Sequence, residues 1–135
     1  MAKVVQTSGK RKRAIARATI KEGKGFIRIN RQLLTTYQPE LARMKIMEPL
    51  MLAGNDITAK IDINVDVFGG GFQSQTEASR LAIAKALVQF TKSKQLRQDF
   101  LEYDRHLLIA DVRRNEPAKP NDSGKPRKSR QKSYR

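Results

Sequence analysis

The sequence predicts an α+β domain of two layers, in which helices cover one face of a mostly antiparallel or mixed sheet, followed by a long, extended basic tail. Three observations predict this architecture. Apolar and polar residues alternate strictly over 60–67, as in a half-buried strand. Apolar residues over 78–90 recur at helical spacing. From Pro117 onward the chain has no Val, Ile, Leu, Met or Phe, so it lacks the apolar surface that offsets the entropy of folding. We therefore expect a body over residues 1–116 and a tail over residues 117–135.

A first pair of strands is predicted from the alternation that begins at Arg13. Small apolar residues fall on one face, and the opposite face carries Arg13, Ile15, Arg17, Thr19 and Lys21. The segment "EGKG" at 22–25 precedes the β-branched run "FIRIN", and together they are typical of a hairpin. One face of this hairpin should present basic side chains to solvent: Arg13, Arg17, Lys21, and Arg28 or Arg31.

The stretch over 38–54 predicts helical structure. Pro39 stands at a plausible first helical position, and Glu40 follows it. Pro49 should divide the segment into a short helix and a second apolar turn that ends near Gly54. We expect its methionines to fill the core rather than to bind a ligand.

After the strand over 60–67, the sequence predicts a glycine loop at 69–71 and a long helix. A second helix is expected within 94–103, with Leu96, Phe100, Leu101 and Tyr103 pointing inward, and an extended segment at 106–112. The body should thus contain four strands and two or three helices.

Charge is concentrated at the two ends of the chain. The formal net charge is +15; residues 1–24 carry eight basic side chains and one Glu, and residues 117–135 carry seven basic side chains and one Asp. The first basic run lies on a predicted strand, where the cations are spatially fixed. This pattern favours binding to an RNA or DNA backbone.

The chain lacks the residues that several classes of function require. The chain has no Cys, which excludes disulfides and thiolate metal sites, and His106 is its single histidine. We interpret the carboxylate pairs Asp62 with Asp66 and Glu102 with Asp104 as solvated faces. There is no run of about 18 apolar residues and no apolar segment of a signal peptide. We therefore expect a cytoplasmic protein that is not an enzyme and has no cofactor, no metal and no membrane contact.

The motif "GGGFQSQ" at 69–75 has two readings. Glycines before a helix can turn amide groups toward a phosphate. However, the Lys-Ser/Thr pair of a P-loop is missing and the spacing differs from that of a dinucleotide fingerprint. The alternative is a tight strand-to-helix turn that needs positive φ. Both readings are compatible if the phosphate belongs to an RNA backbone.

Five segments together carry a resemblance to a known family. They are "SGKRKRAIARATI", "PELARMKIMEPLMLAG", "VFGGGFQSQTEASRLAIAKAL", "EYDRHLLIADVRR" and "RQKSYR". In this order they resemble the universal small-ribosomal-subunit protein nine family, from Val4 to Arg135. The "KIMEPL" segment and the "QKSYR" ending are similar to its archaeal and eukaryotic branch.

The resemblance implies a structural constituent of the small ribosomal subunit, with a body of the ribosomal-protein left-handed βαβ type. It implies that the body binds rRNA of the subunit head beside neighbouring ribosomal proteins, and that the tail reaches peptidyl-site tRNA. The tRNA contacts would be Ser133, Tyr134 and Arg135. The expected rRNA-binding residues are Lys10, Arg11, Lys12, Arg13, Arg17, Gly69, Gly70, Gly71, Gln75, Arg113, Arg114, Lys125, Arg127, Lys128, Arg130 and Lys132.

The chain departs from the family pattern in two places. Ser74, Gln75 and Thr76 stand where many relatives have Gly-Gln-Ala, which weakens the expectation of a close approach of the loop to RNA. Tyr134 replaces the penultimate Lys of bacterial relatives and exchanges a charge for a stacking surface. Two other functions stay open: a free basic RNA chaperone, and a small phosphate-handling enzyme that uses the glycine loop.

Overall fold

The fold, described here for residues 2–117 from a computed structural model, is built on one mixed sheet of five strands in the order β1-β2-β5-β3-β4. The strands are β1 (Val4–Arg11), β2 (Ala14–Glu22), β3 (Ile27–Ile29), β4 (Gln32–Leu33) and β5 (Ile61–Phe68). The helices are α1 (Glu40–Ala53), α2 (Asn55–Thr58), α3 (Phe72–Thr91) and α4 (Lys94–Tyr103), with short 3-10 turns at Leu34–Thr36 and Arg105–Leu107. The predicted α+β class is confirmed.

The predicted hairpin between β2 and β3 is wrong, because β5 lies between them. β2 pairs antiparallel with β5 over eight residues, from Ile15 opposite Phe68 to Glu22 opposite Ile61, whereas β3 contributes three residues and runs parallel to β5. The glycine-rich segment crosses the start of β5: Gly23 N–H donates to Lys60 O and Gly25 N–H donates to Ile61 O. The long ladder with β5 satisfies more backbone groups than a short hairpin with β3 would.

The sequence prediction missed β1, which pairs antiparallel with β2 from Val4 to Arg11. One face of β1 lies directly against α3. Thr7 Oγ1 donates to Ala82 O at 2.7 Å, and a Cβ added to Gly9 would lie 2.8 Å from Ala82 N. The glycine therefore permits a strand-to-helix approach that a side chain would block.

The core forms between the sheet and α3. The predicted inward residues of β2 are buried, as are the alternating Ile61, Ile63, Val65 and Val67 of β5. They face small residues on α3, including Ala78, Ala82 and Ala86. Small side chains on both layers let the helix lie close to the sheet, and this arrangement confirms both alternation patterns.

α1 is one helix, so the predicted break at Pro49 is wrong. Pro49 cannot donate the usual helical hydrogen bond, but its ring is buried together with Ala42, Ile46 and Leu50. The expected core role of the methionines is also wrong. Met44 is 54% exposed and Met51 is 73% exposed, because the face of α1 that packs toward α3 is the one marked by Ile46 and Leu50.

The end of the body differs from the prediction in one element. α4 is present and buries Leu96 and Phe100, although Tyr103 is 56% exposed. The extended segment expected at 106–112 is instead a 3-10 turn followed by irregular chain. The Asp104 carboxylate accepts the His106 N–H at 2.9 Å and starts this turn, which places Leu107 in the core.

All long helices in the described part of the chain lie on one side of the sheet, as predicted. α3 packs on β1, β2 and β5, and α1 and α4 pack on α3. The other side carries the alternate residues of the strands and is largely exposed. We call this side the open face; its residues are Val4, Gln6, Ser8, Lys10, Ile15, Arg17, Thr19, Lys21, Arg28, Asp62, Asn64, Asp66 and Phe68.

Candidate nucleic-acid interface

Two exposed cations lie at the tight turn between β1 and β2. Lys12 and Arg13 form this turn, which we call the basic turn, and both side chains are exposed. Lys10 and Arg17, on the strands beside it, are exposed on the open face. Four of the predicted rRNA-binding residues therefore lie close together at this end of β1 and β2.

Arg11 is placed differently from its neighbours. Its side chain is 18% exposed and faces the helices, where Nε lies 2.5 Å from a Glu77 oxygen and Nη1 contacts the Asp111 carboxylate. The Arg113 backbone N–H and the Arg11 charge hold the pKa of Asp111 below its usual range. Arg11 thus joins β1, α3 and the last described segment, and its charge is balanced inside the protein.

The glycine loop lies against the basic turn. Gly69 and Gly70 have φ of +80° and +64°. A Cβ on Gly69 would lie 2.5 Å from Arg13 O, and Gln75 Nε2 donates to Gly69 O at 3.1 Å. The tight-turn reading of the motif is therefore confirmed, and Gln75 stabilises that turn.

The helix that follows the loop begins without an acidic residue in its first turn. Within the described chain, the N-cap Gly71 offers no side-chain acceptor to the first amide groups of α3. Those N–H groups carry the positive end of the helix dipole. Both the start of α3 and the basic turn therefore favour an anion at this end of the sheet.

Asp62 and Asp104, two of the four carboxylates predicted on solvated faces, accept backbone hydrogen bonds. Asp62 accepts the backbone N–H groups of Lys24 and Phe26 at 2.9 and 3.0 Å, and the Phe26 bond is the main cause that lowers the pKa of Asp62. Asp104 accepts from Arg80 Nη1 at 3.1 Å. For Asp104, partial burial acts to raise the pKa, but the His106 N–H and Arg80 bring the net shift below the usual value.

Arg113 and Arg114 follow the last buried residue and are exposed. Arg114 Nη1 donates to the carbonyl oxygens of Asp111 and Arg113, each at 3.0 Å. The remaining predicted contacts lie outside the described residues: Lys125, Arg127, Lys128, Arg130, Lys132, Ser133, Tyr134 and Arg135.

Comparison with known proteins shows the family to which the chain belongs. The family model for ribosomal protein S9/S16 matches residues 9–135. The chain belongs to this family. Relatives called small ribosomal subunit protein uS9, from Methanococcus maripaludis strain C7 and Methanococcus vannielii, are each 54% identical over 134 residues, which cover 98% of this chain and 99% of the relative. The resemblance found in the sequence, including its archaeal branch, is confirmed.

Membership of the S9/S16 family makes the chain a ribosomal protein, a structural class and not an enzyme, as the sequence predicted. The phosphate-handling enzyme is therefore excluded by kinship. Within residues 2–117, no group of three acidic, Cys or His side chains is arranged to hold a metal ion. In the same part of the chain, no helix has the length and apolar character needed to cross a membrane.

Sequence reasoning missed one feature of the interface of this S9/S16 protein. Phe68, at the end of β5, is 51% exposed on the open face, and its ring centroid lies 5.8 Å from the Arg17 guanidinium. Arg28 lies similarly over Phe26, at 5.2 Å. The exposure of Phe68 could have been predicted from the alternation of β5, which places Phe68 on the same face as the polar Asn64 and Asp66 and opposite the core.

Proposed function

We propose that this chain is a structural constituent of the small ribosomal subunit, whose body binds rRNA of the subunit head and whose tail contacts peptidyl-site tRNA during translation. One observation carries the proposal: relatives named for the small subunit match nearly the whole chain, so the basic turn and the basic tail both fall within the shared region. The site of action is then the cytoplasm, and the partners are rRNA, peptidyl-site tRNA and neighbouring proteins of the head.

The body supplies cations that are free to meet phosphates. Lys10, Lys12, Arg13 and Arg17 are exposed, and within the described residues none forms a salt bridge. The glycine loop packs beside them and adds the dipole of α3. Such a surface attracts an RNA backbone irrespective of base sequence. Arg113 and Arg114 add two exposed cations near the end of the described chain.

The division into a body over 1–116 and a tail over 117–135 explains how one small protein serves two RNAs. Leu107 is the last buried apolar residue in the described chain. A tail of nineteen residues spans roughly 60 Å when extended, at about 3.3 Å per residue. The radius of gyration of a body of about 100 residues is near 13 Å. The tail therefore has the length to reach a site that the body does not touch.

The residues of the tail have different roles according to their side chains. Lys125, Arg127, Lys128, Arg130 and Lys132 neutralise rRNA phosphates, which provides the ordering that a core provides elsewhere. At the end, Arg135 has a planar guanidinium that binds a phosphate of the tRNA with two parallel hydrogen bonds. Ser133 adds a hydroxyl group, and Tyr134 adds a ring on which a base can stack.

The proposal is tested by deleting residues 130–135. Small subunits that carry the truncated chain should assemble normally and bind peptidyl-site tRNA more weakly than subunits with the full chain. A matched control replaces the same six residues with a Gly/Ser segment, which keeps the length and removes the chemistry. Unchanged tRNA affinity in both variants would refute the tRNA contact.

Sedimentation of the full chain in the presence of small subunits distinguishes a ribosomal constituent from a free RNA chaperone. A ribosomal constituent should sediment with small subunits at moderate salt. A chain that stays at the top of the gradient while still binding RNA would be acting as a free chaperone.

A further inference from the structure

The largely polar open face carries one exposed aromatic ring, that of Phe68. Phe68 lies opposite Ile15 of β2, and Ile15 lies opposite Lys10 of β1, so the three side chains form one row across the sheet. In the next row, Ser8, Arg17 and Asp66 are paired in the same way. The ring of Phe68 therefore has one cation in its own row and another beside it.

The Arg17 guanidinium contacts the ring instead of a carboxylate. It lies 5.8 Å from the centroid of Phe68, within the range of a cation–π contact. Asp66 is directly across the strand pair, but no salt bridge joins Arg17 to any described residue. The charge of Arg17 is thus held beside an aromatic surface that remains half exposed.

An aromatic ring flanked by unpaired cations fits one class of ligand. Unpaired nucleotides stack their bases on aromatic side chains while Lys and Arg neutralise the adjoining phosphates. In a duplex the base faces are already stacked, so only the backbone is available. A protein partner is disfavoured, because the only apolar neighbour of the ring in its row is the half-buried Ile15, and the next row consists of the polar or charged Ser8, Arg17 and Asp66.

We infer that the open face binds unpaired nucleotides of RNA, with a base stacked on Phe68 and the adjoining phosphates held by Arg17 and Lys10. Ser8 and Asp66 lie with Arg17 in the next row, and Gln6, Thr19 and Asn64 present hydrogen-bonding groups in the row after it. The inference rests on the proposed function, since it adds a ligand class and a stacking residue to a body that binds rRNA.

The absence of Trp from the chain provides a direct test. Phe68→Trp keeps a stacking surface and introduces a single indole. In the full-length protein its fluorescence should be quenched by a short single-stranded oligoribonucleotide and much less by a duplex of the same sequence. Tyr103→Trp is the matched control, because Tyr103 is 56% exposed on α4, away from the open face, and its indole should show no quenching.

A second variant measures the contribution of the ring to affinity. Phe68→Ala should weaken binding of the single strand by about 5- to 150-fold and leave duplex binding unchanged. Equal quenching by single strand and duplex, or in the Phe68→Trp and Tyr103→Trp proteins alike, would overturn the inference. Quenching by other small-subunit proteins and by neither RNA would assign the face to a protein partner and overturn it as well.

Loss of the stacking contact and loss of the ribosomal role would give different results. If the protein binds RNA in a salt-dependent manner and sediments with small subunits, but the indole of Phe68→Trp does not respond, only the stacking inference is wrong. If neither RNA binds and the chain does not enter small subunits, the proposed function is wrong and the inference falls with it.

Discussion

At the scale of single residues, the glycine loop shows what a local motif can predict. Three glycines between a strand and a helix predicted a turn with positive φ, and Gly69 and Gly70 have such angles. The motif alone did not show which neighbouring residue crowds the turn. Arg13 O lies 2.5 Å from the position of a Cβ on Gly69, and this contact depends on the pairing of β2 with β5.

The loop yields a prediction with a built-in control. Gly69→Ala should lower the free energy of unfolding by about 1–3 kcal/mol, because it places a side chain at φ +80° and against Arg13 O. Gly71→Ala should cost much less, since a Cβ there meets no described atom within 4 Å and φ is −93°. Denaturant unfolding of both variants measures the difference. Equal losses would contradict the assigned geometry.

Asp62 yields a prediction about pH. Its pKa lies below the ordinary value of 3.8, mainly because the Phe26 N–H, assisted by the Lys24 N–H, bonds to the charged carboxylate. A depressed folded-state pKa means that the stabilisation is present above the unfolded-state pKa and is lost as the pH falls through the folded-state pKa. The wild type should therefore exceed Asp62→Asn in melting temperature at pH 7, and the gap should shrink below about pH 4. A gap that stays constant down to pH 2 would refute this role.

At the scale of elements, alternation predicted the faces of strands but not their partners. The inward residues of β2 and β5 were identified correctly. The predicted pairing of β2 with β3 was wrong, because β2 forms its long ladder with β5, which is distant in the sequence. β1 was missed because "VVQTSGKR" has polar residues on both faces. Its inner face contains the polar Thr7 and Arg11, because these side chains bind α3. The sequence of β1 therefore shows no alternation of apolar and polar residues.

The approach of β1 to α3 can be tested through Gly9. Gly9→Ala should destabilise the protein by about 1–3 kcal/mol, because the new Cβ would overlap Ala78 O and crowd Ala82 N. Ser8→Ala is the control, since Ser8 is the neighbouring residue on the open face and should change stability by less than about 0.5 kcal/mol. Thermal unfolding compares the two. A Gly9→Ala protein as stable as the control would show that β1 lies farther from α3.

Arg80 joins three elements of the helical layer. Its side chain is 12% exposed, and its guanidinium lies 2.5 Å from Glu48 of α1 and 3.1 Å from Asp104. Arg80→Gln should cost about 1.5–3 kcal/mol, because charge-assisted hydrogen bonds are lost and two carboxylates are left without their shared cation. Arg97→Gln, at an exposed position of α4 without a salt bridge among the described residues, should be nearly neutral. Denaturant unfolding distinguishes the two outcomes, and equal stability would contradict the bridging role.

At the scale of the whole molecule, charge distribution was the most informative property of the sequence. It predicted nucleic-acid binding from two basic ends, and family membership agrees. Composition could not tell which cations are free. Arg11 belongs to the basic run by sequence but is paired inside the fold, whereas Phe68 appears apolar in the sequence and lies exposed among the cations.

The salt dependence of RNA binding tests the cationic surface as a whole. If about eight end cations meet phosphates, the logarithm of affinity should fall with the logarithm of salt with a slope of roughly −6 to −7. Replacing Lys10, Lys12, Arg13 and Arg17 together with Gln should reduce the steepness by roughly 3–4. Filter binding to head-domain rRNA at several salt concentrations gives both slopes. An unchanged slope would exclude the basic turn from the interface.

The central claim is that a cationic chain segment with nothing to bury gains its shape from the RNA around it. A density map of the intact small subunit tests this most directly. The account predicts the body on rRNA of the head, with residues 117–135 extended through rRNA and Arg135 beside the backbone of peptidyl-site tRNA. A map in which those residues fold back onto their own body, away from RNA, would contradict it.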